Sequence, residues 1–159
     1  MPVWTSTKRT SAKRPTTIFA GLPSSSGSNS NIFFFAEEIK SGKEENDQHY
    51  YLKINSQITN DAIRYLDEQL SLGHPVLVGV DHKYKTGHNN NQCDHFIVIV
   101  ARWCSDGLIC YQFYDPGTSH KLMGTNEKNI LVYNEKEQIL EGSTTYNNKN
   151  YIVTQIRRN

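Results

Sequence analysis

His95 and Asp115 are the two side chains of this 159-residue sequence best placed by type and spacing for acid–base work. His95 opens the apolar run Phe96 to Val100, and Asp115 closes the next apolar stretch just ahead of Pro116 and Gly117. A strand that reads as buried on both faces seldom begins with Asp94-His95 unless these residues lie at a sheet rim, where a rigid scaffold presents reactive groups. A carboxylate beside an imidazole fixes its tautomer and supports its protonated form, as a general base that later acts as an acid requires. The plainer alternative is a surface His–Asp pair on neighbouring strands.

Whether the two side chains meet is a question of register, because a one-residue slip turns every side chain to the other face. If Asp106-Gly107 forms a two-residue turn, Ser105 pairs with Leu108, and Asp115 opposes Val98 and points away from His95. If Ser105-Asp106-Gly107 forms a three-residue turn with Gly107 left-handed, Cys104 pairs with Leu108. Cys110 then opposes Arg102, and Asp115 opposes Ile97, diagonal to His95 on its face and roughly 7 Å away at Cα. The catalytic reading therefore predicts the three-residue loop.

Other reactive residues are less well placed. Cys93 lies two residues before His95, so in an extended strand the two are roughly 6.5–7 Å apart at Cα, and no helix N-terminus serves the thiol. Cys104 and Cys110 flank the hairpin turn and read as core or edge residues. Three cysteines without a Cys-x-x-Cys give neither a disulfide framework nor zinc-ligand spacing. His74, His82, His88 and His120 form no recognisable metal pattern. His82, His88 and Cys93 share one loop, but Asn89 to Gln92 make it polar and flexible in character, so neither metal nor cofactor is expected.

The elements that must hold this pair follow from periodicity. Residues 1 to about 25 read as a flexible leader or edge segment, with Thr17 to Phe19 able to add a short edge strand. Residues 26–159 read as one domain. A helix is expected over about 31–40, capped by Ser30, with Ile32, Phe35, Ala36 and Ile39 at helical spacing. A strand over about 49–54 follows. The clearest helix spans about 61–72, with Ile63, Leu66 and Leu70 as its apolar stripe, Asn60 as cap and Gly73 as stop. From Pro75 onward the pattern becomes strands: 75–80, 94–102, 108–115, 130–133, 138–140 and 151–157. Helices followed by an antiparallel meander predict an α+β domain.

The segments Gly73-His74-Pro75-Val76-Leu77-Val78-Gly79-Val80-Asp81-His82, Asp94-His95-Phe96-Ile97-Val98-Ile99-Val100 and Phe113-Tyr114-Asp115-Pro116 resemble papain-like bacterial cysteine peptidases. The likeness is to the branch related to the bacteriocin-leader (double-glycine) peptidases. Gly124-Thr125-Asn126 and Thr154-Gln155-Ile156-Arg157 extend it toward domains of gut-type bacteria that look like toxins delivered by contact-dependent or type VI secretion. The resemblance covers about residues 60–157. It implies a papain-like fold, with N-terminal helices packed on a mostly antiparallel sheet, and hydrolysis of an amide bond in a peptide or peptidoglycan crosspeptide. His95 would be the general base and then the acid, and Asp115 its orienting carboxylate.

One departure bears on activity. The family places its nucleophilic cysteine at the N-terminus of the first helix, where the helix dipole and the histidine lower the thiol pKa. Here no cysteine precedes Cys93. Ser28 or Ser30 falls at the expected position, with Asn29 or Asn31 as oxyanion donors. Three explanations stay open: an engineered Cys-to-Ser change, a natural pseudoenzyme kept for binding, or a serine nucleophile served by His95 and Asp115. The resemblance implies a cognate immunity or toxin protein as partner, and the missing cysteine favours a non-catalytic binding, immunity or adaptor module as the rival reading. A net charge of +1 gives no global field for nucleic acid or an anionic membrane. No apolar run approaches the roughly 20 residues of a membrane span. With no signal pattern at the N-terminus, synthesis in the cytoplasm, with export only by a route free of a cleavable signal, is expected.

Overall fold

The computed structural model describes residues 31–41, 49–82 and 93–159. Their elements run in the order β1 (Ile32–Phe34), β2 (Ala36–Ser41), β3 (His49–Ile54), α1 (Ser56–Ser71), β4 (Val76–His82), β5 (His95–Ser105), β6 (Leu108–Tyr114), α2 (Lys121–Gly124), β7 (Ile130–Asn134), β8 (Ile139–Ser143) and β9 (Asn150–Arg157). Strands β4 to β8 pair antiparallel in a row, and β9 joins both ends of that row by pairing with β4 and β8. The result is a closed six-stranded antiparallel barrel. β9 pairs through its first residues with β8 and through its last with β1, while β2 and β3 form a separate two-stranded ribbon.

This corrects the expected papain-like α+β arrangement of N-terminal helices on an open sheet: the chain is mostly β, its strands close on themselves, and the described residues hold only two helices. The first expected helix is where the reading fails. Residues 31–40 do have apolar side chains at helical spacing, but Ile32-Phe33-Phe34-Phe35 is also a β-branched and aromatic run that suits a pleated surface. The C-terminal part of β9 offers an edge, and Ile32, Phe33 and Phe34 pair with Arg157, Ile156 and Gln155 there. Tertiary pairing outweighs a weak local helix preference. The edge strand expected over 17–19 lies outside the described residues.

The barrel interior is filled by side chains, as a barrel this narrow demands. Val78, Val80, Ile97, Ile99, Tyr111, Phe113, Leu131, Leu140, Val153 and Ile156 are all fully buried. α1 starts five residues earlier than its stripe predicted, because Asn55 rather than Asn60 is the cap: the Ile58 N–H donates to Asn55 Oδ1 at 3.2 Å. That adds the first turn to the helix and buries Thr59 beside Ala62, Ile63 and Leu66.

α1 closes one end of the barrel. Asp67 on α1 accepts the Tyr111 hydroxyl at 2.7 Å and the Arg102 Nε–H at 3.0 Å, which ties the helix to β5 and β6 near their hairpin. Gln138, in the β7–β8 turn at that end, donates to Asn60 at 3.2 Å. Burial first, then the neighbouring Asp67 carboxylate, pushes the Tyr111 phenol up, so it stays a neutral donor. Tyr111→Phe should lower the free energy of unfolding by about 1.5 kcal/mol, the usual worth of a hydrogen bond to a charged group, in urea denaturation followed by far-UV circular dichroism. A loss below the error of that measurement would show that the helix is held by packing alone.

The β5–β6 hairpin corrects a second expectation. Asp106 (φ 51°) and Gly107 (φ 78°) make a two-residue turn with both central residues left-handed, and Ser105 pairs with Leu108. That is the hairpin connection whose twist matches its strands, and Asp-Gly is a favoured sequence for it. Arg102 accordingly faces Tyr111, and Cys110 faces Trp103. Taken alone this register would turn Asp115 away from His95. Between Ile99 and Ala101, however, the register shifts: Ala101 pairs with Gln112, but Ile99 pairs with Phe113 and Val98 with Tyr114. Val100 is the extra residue of a β-bulge. The bulge restores the pairing that the three-residue loop would have produced.

Candidate functional site

The end of the barrel opposite α1 carries the His95–Asp115 pair. It is built from the end of β4, the start of β5, the end of β6, the approach to β7, the exit of β8 and the start of β9. His95 pairs with Val80 and so faces the interior with Ile97 and Ile99. Phe113 is buried on the same face of β6, and continuing that strand by two residues brings Asp115 to the rim on the interior side. The two meet there: His95 Nε2 lies 2.7 Å from Asp115 Oδ1.

Asp115 is only 4% exposed and is held from all sides. Oδ1 also accepts the Gly117 N–H at 2.9 Å, and Oδ2 accepts the Tyr151 hydroxyl at 2.9 Å. Burial alone would push the carboxyl up, but hydrogen bonds from His95, the Gly117 N–H, Tyr151 and Thr144 outweigh it and hold Asp115 below the usual carboxylate range. An ionised Asp115 accepts only, so the His95 Nε2–H must donate. The lone pair of the neutral imidazole is then on Nδ1. His95 is 24% exposed at its side chain, against 2% for Asp115. The pair is thus a solvent-reachable imidazole oriented by a buried anion, with Nδ1 the nitrogen left for proton exchange.

Backbone bonds fix the carboxylate from behind. The Asp115 N–H donates to the Gly124 carbonyl at 2.8 Å. Asn129, completely buried, donates through Nδ2 to the Met123 and Gly124 carbonyls at 2.9 and 3.2 Å, and its Oδ1 accepts from the N–H and hydroxyl of Thr145 at 2.8 and 2.9 Å. One side chain therefore joins the short α2 turn to the segment after β8, the two stretches that enclose Asp115. The sequence reading missed Asn129, Thr144 and Tyr151. A polar residue immediately before the Ile130–Tyr133 run was the available signal for Asn129, whereas Tyr151 has the same pattern as any strand aromatic.

A second imidazole stands at the same mouth. His82 Nδ1 is 3.1 Å from Asp94 Oδ2, and the His82 backbone N–H donates to that same oxygen at 3.0 Å. The Asp94 N–H donates to Asp81 Oδ1 at 3.1 Å. The ring centroids of His82 and His95 lie 5.6 and 5.8 Å from that of Tyr151. The loop reading of His82 is corrected by its place as the last residue of β4.

The remaining candidates are distributed differently. A side chain built on Gly79 would run into Cys93 Sγ and the buried Gln155, which places the thiol beside those residues. Burial first, then the Asp81 carboxylate and to a lesser degree Asp94, push the Cys93 thiol up and outweigh the pull of Arg157 and of the His95 backbone N–H, the reverse of what an activated nucleophile needs. Cys104 is exposed and Cys110 buried, both as free thiols. Asn31, offered as an oxyanion donor at a helix N-terminus, instead precedes β1 and accepts the Arg158 N–H through its carbonyl at 2.8 Å. Ser28, Asn29 and Ser30 lie outside the described residues, as does His88. No family model matches this sequence, and neither a curated protein nor a solved structure matches it.

Proposed function

We propose that the chain hydrolyses an amide bond in a peptide or a peptidoglycan crosspeptide, with His95 as the proton-transfer group and Asp115 as its orienting anion. The observation that carries this reading is the 2.7 Å bond from a reachable imidazole to a buried carboxylate held ionised by three further donors. His95 Nδ1 takes the proton of the attacking hydroxyl as the oxygen bonds the carbonyl carbon. The imidazolium then gives that proton to the departing nitrogen as the C–N bond breaks, which leaves a serine ester. Water, giving a proton to the same Nδ1, attacks that ester, and the proton returns to the serine oxygen as the acid leaves. Ser28 or Ser30 is the proposed nucleophile position. The setting we favour is a secreted bacterial effector with a cognate immunity partner, a reading supported by the sequence segments around His95 and Asp115 and not by the overall fold.

The test installs a better nucleophile. Ser28→Cys and Ser30→Cys, made separately, are assayed on mixed peptide and muropeptide substrates beside the same variants carrying His95→Ala. One of the two should cleave about 100-fold faster than its His95→Ala counterpart, a typical acid–base contribution. Absence of cleavage in both would defeat the amide reading.

A second reading has its own support. Among the described residues no hydroxyl or thiol hydrogen-bonds His95 Nδ1, and the nearby Cys93 thiol is pushed up rather than activated. A non-catalytic binding module that uses the barrel mouth as its contact surface fits that pattern. A protein partner retained by the wild type and released by substitutions at the mouth, without hydrolysis, would favour it.

A further inference from the structure

His82 and Asp94 are not used by the amide reading, yet they repeat the chemistry of His95 and Asp115 on the adjoining strand. His95 opposes Val80 on β4, and His82 lies two residues further along β4, so the two histidines are diagonal neighbours across one antiparallel pair. Diagonal positions are roughly 7 Å apart at Cα, within reach of one small substrate. The rings pack around one Tyr151, and each gives one nitrogen to its own carboxylate. His95 keeps Nδ1 and His82 keeps Nε2, and neither nitrogen hydrogen-bonds a described residue. Each imidazole is partly open to solvent: 29% for His82 and 24% for His95.

Two imidazoles, each oriented by a carboxylate and each with one nitrogen that no described residue bonds, can divide a proton transfer between them. Such a site needs no protein nucleophile if the substrate brings its own. We propose that His82 and His95 together cleave a phosphodiester that carries a neighbouring hydroxyl, as in a short oligoribonucleotide. The neutral imidazole takes the proton of the 2′-hydroxyl as its oxygen bonds phosphorus. The imidazolium gives its proton to the 5′-oxygen as the P–O5′ bond breaks. The products are a 2′,3′-cyclic phosphate and a free 5′-hydroxyl, and atoms and charge balance without a co-reactant. Asp115 and Asp94 are positioning residues that hold the tautomers. A net charge of +1 speaks against gripping a long polyanion, which is why the substrate is a short one. This activity is independent of the amide reading, since it makes no use of Ser28 or Ser30.

The experiment incubates the full chain with the ribodinucleotides UpA and CpA and the deoxy analogue dCpdA, and identifies products by mass spectrometry. Cyclic phosphate should form from the ribo substrates and not from dCpdA, with a bell-shaped pH–rate profile. His82→Ala and His95→Ala should each lower the rate about 100-fold, with His82→Gln and His95→Asn as shape-conserving versions checked for folding by circular dichroism. Asp94→Asn should lower the rate and alter one limb of the pH profile. Cys104→Ser, at an exposed thiol beside the β5–β6 hairpin turn, should leave it unchanged, and cyclic phosphate formed from a substrate without a peptide bond separates this activity from amide hydrolysis. No cyclic product from the wild type, equal cleavage of dCpdA, or full activity in a folded His82→Gln protein would each overturn the proposal.

Discussion

Asp115→Asn should destabilise the protein by about 3 kcal/mol at neutral pH and abolish any activity that depends on His95. The carboxylate is buried and every one of its partners is a donor: His95 Nε2–H, the Gly117 N–H and the Tyr151 hydroxyl, with Thr144 beside them. An asparagine amide can present its oxygen to only one side. Either the His95 and Gly117 donors, or the Tyr151 hydroxyl, must then face an NH2 group, and Tyr151 is itself only 4% exposed. Removing one member of a buried charged network typically costs about 3–5 kcal/mol, chiefly because the remaining polar groups lose their partner.

The pH dependence of stability gives this prediction a sign. The folded-state pKa of Asp115 lies below its ordinary value, so the unfolded chain binds more protons there on the acid side. The stabilisation is fully present above the unfolded value of about 3.9 and is lost as pH falls through the lower folded value. Acid denaturation of the wild type should therefore be steeper in that window than that of Asp115→Asn. Parallel curves with equal midpoints in urea at neutral pH would mean that the carboxylate is not the anchor of the mouth.

The fate of His95 and Asp115 shows which features of the site could be read from sequence. Both residues were identifiable because each is a polar group at the end of an apolar strand. Their facing was deduced correctly in parity but attributed to the wrong device. Asp106-Gly107 carries the residue types of a two-residue turn, and that is what forms. The compensating bulge at Val100 sits in the middle of an unbroken apolar run, where no residue type announces it. A bulge is fixed by how two strands must twist to close a barrel, and that requirement belongs to the whole sheet. The first helix failed for a related reason. Ile32 to Phe35 can satisfy a helical stripe or a pleated strand, and what decides is the edge that β9 offers more than a hundred residues later. Closure itself leaves no local mark, because a strand in a barrel alternates as it does in an open sheet. Asn129 belongs to the same class: its role comes from carbonyls near Met123 and an N–H at Thr145 that meet only in three dimensions.

Gly117→Ala is the sharpest test of whether the mouth works as a built site. Gly117 is the second residue after Asp115, and its N–H is one of the carboxylate's donors. A Cβ on this glycine would lie 2.5 Å from His95 Cε1, 2.8 Å from His95 Nε2 and 3.2 Å from Asp115 Oδ1. The imidazole cannot keep its place against a methyl group at that distance. Its ring must swing off the carboxylate or the 116–118 turn must move, and either change lengthens the 2.7 Å bond. The backbone at Gly117 is not left-handed, so alanine suffers no conformational penalty and the fold should survive. Misplacing a proton-transfer group by about 1 Å typically lowers a rate about 100-fold. The expected result is a folded Gly117→Ala protein whose His95 Nε2–H resonance has lost its carboxylate-bonded downfield shift, with His95-dependent turnover reduced by that factor. Gly107→Ala supplies the contrast. Gly107 is left-handed at φ 78° with nothing within 4 Å of an added Cβ, so that variant should lose about 1 kcal/mol of stability at the hairpin turn and leave the His95 resonance untouched. A Gly117→Ala protein with the wild-type resonance would show that the space around the imidazole is slack, and a slack imidazole could not hold the tautomer on which both proposed chemistries depend.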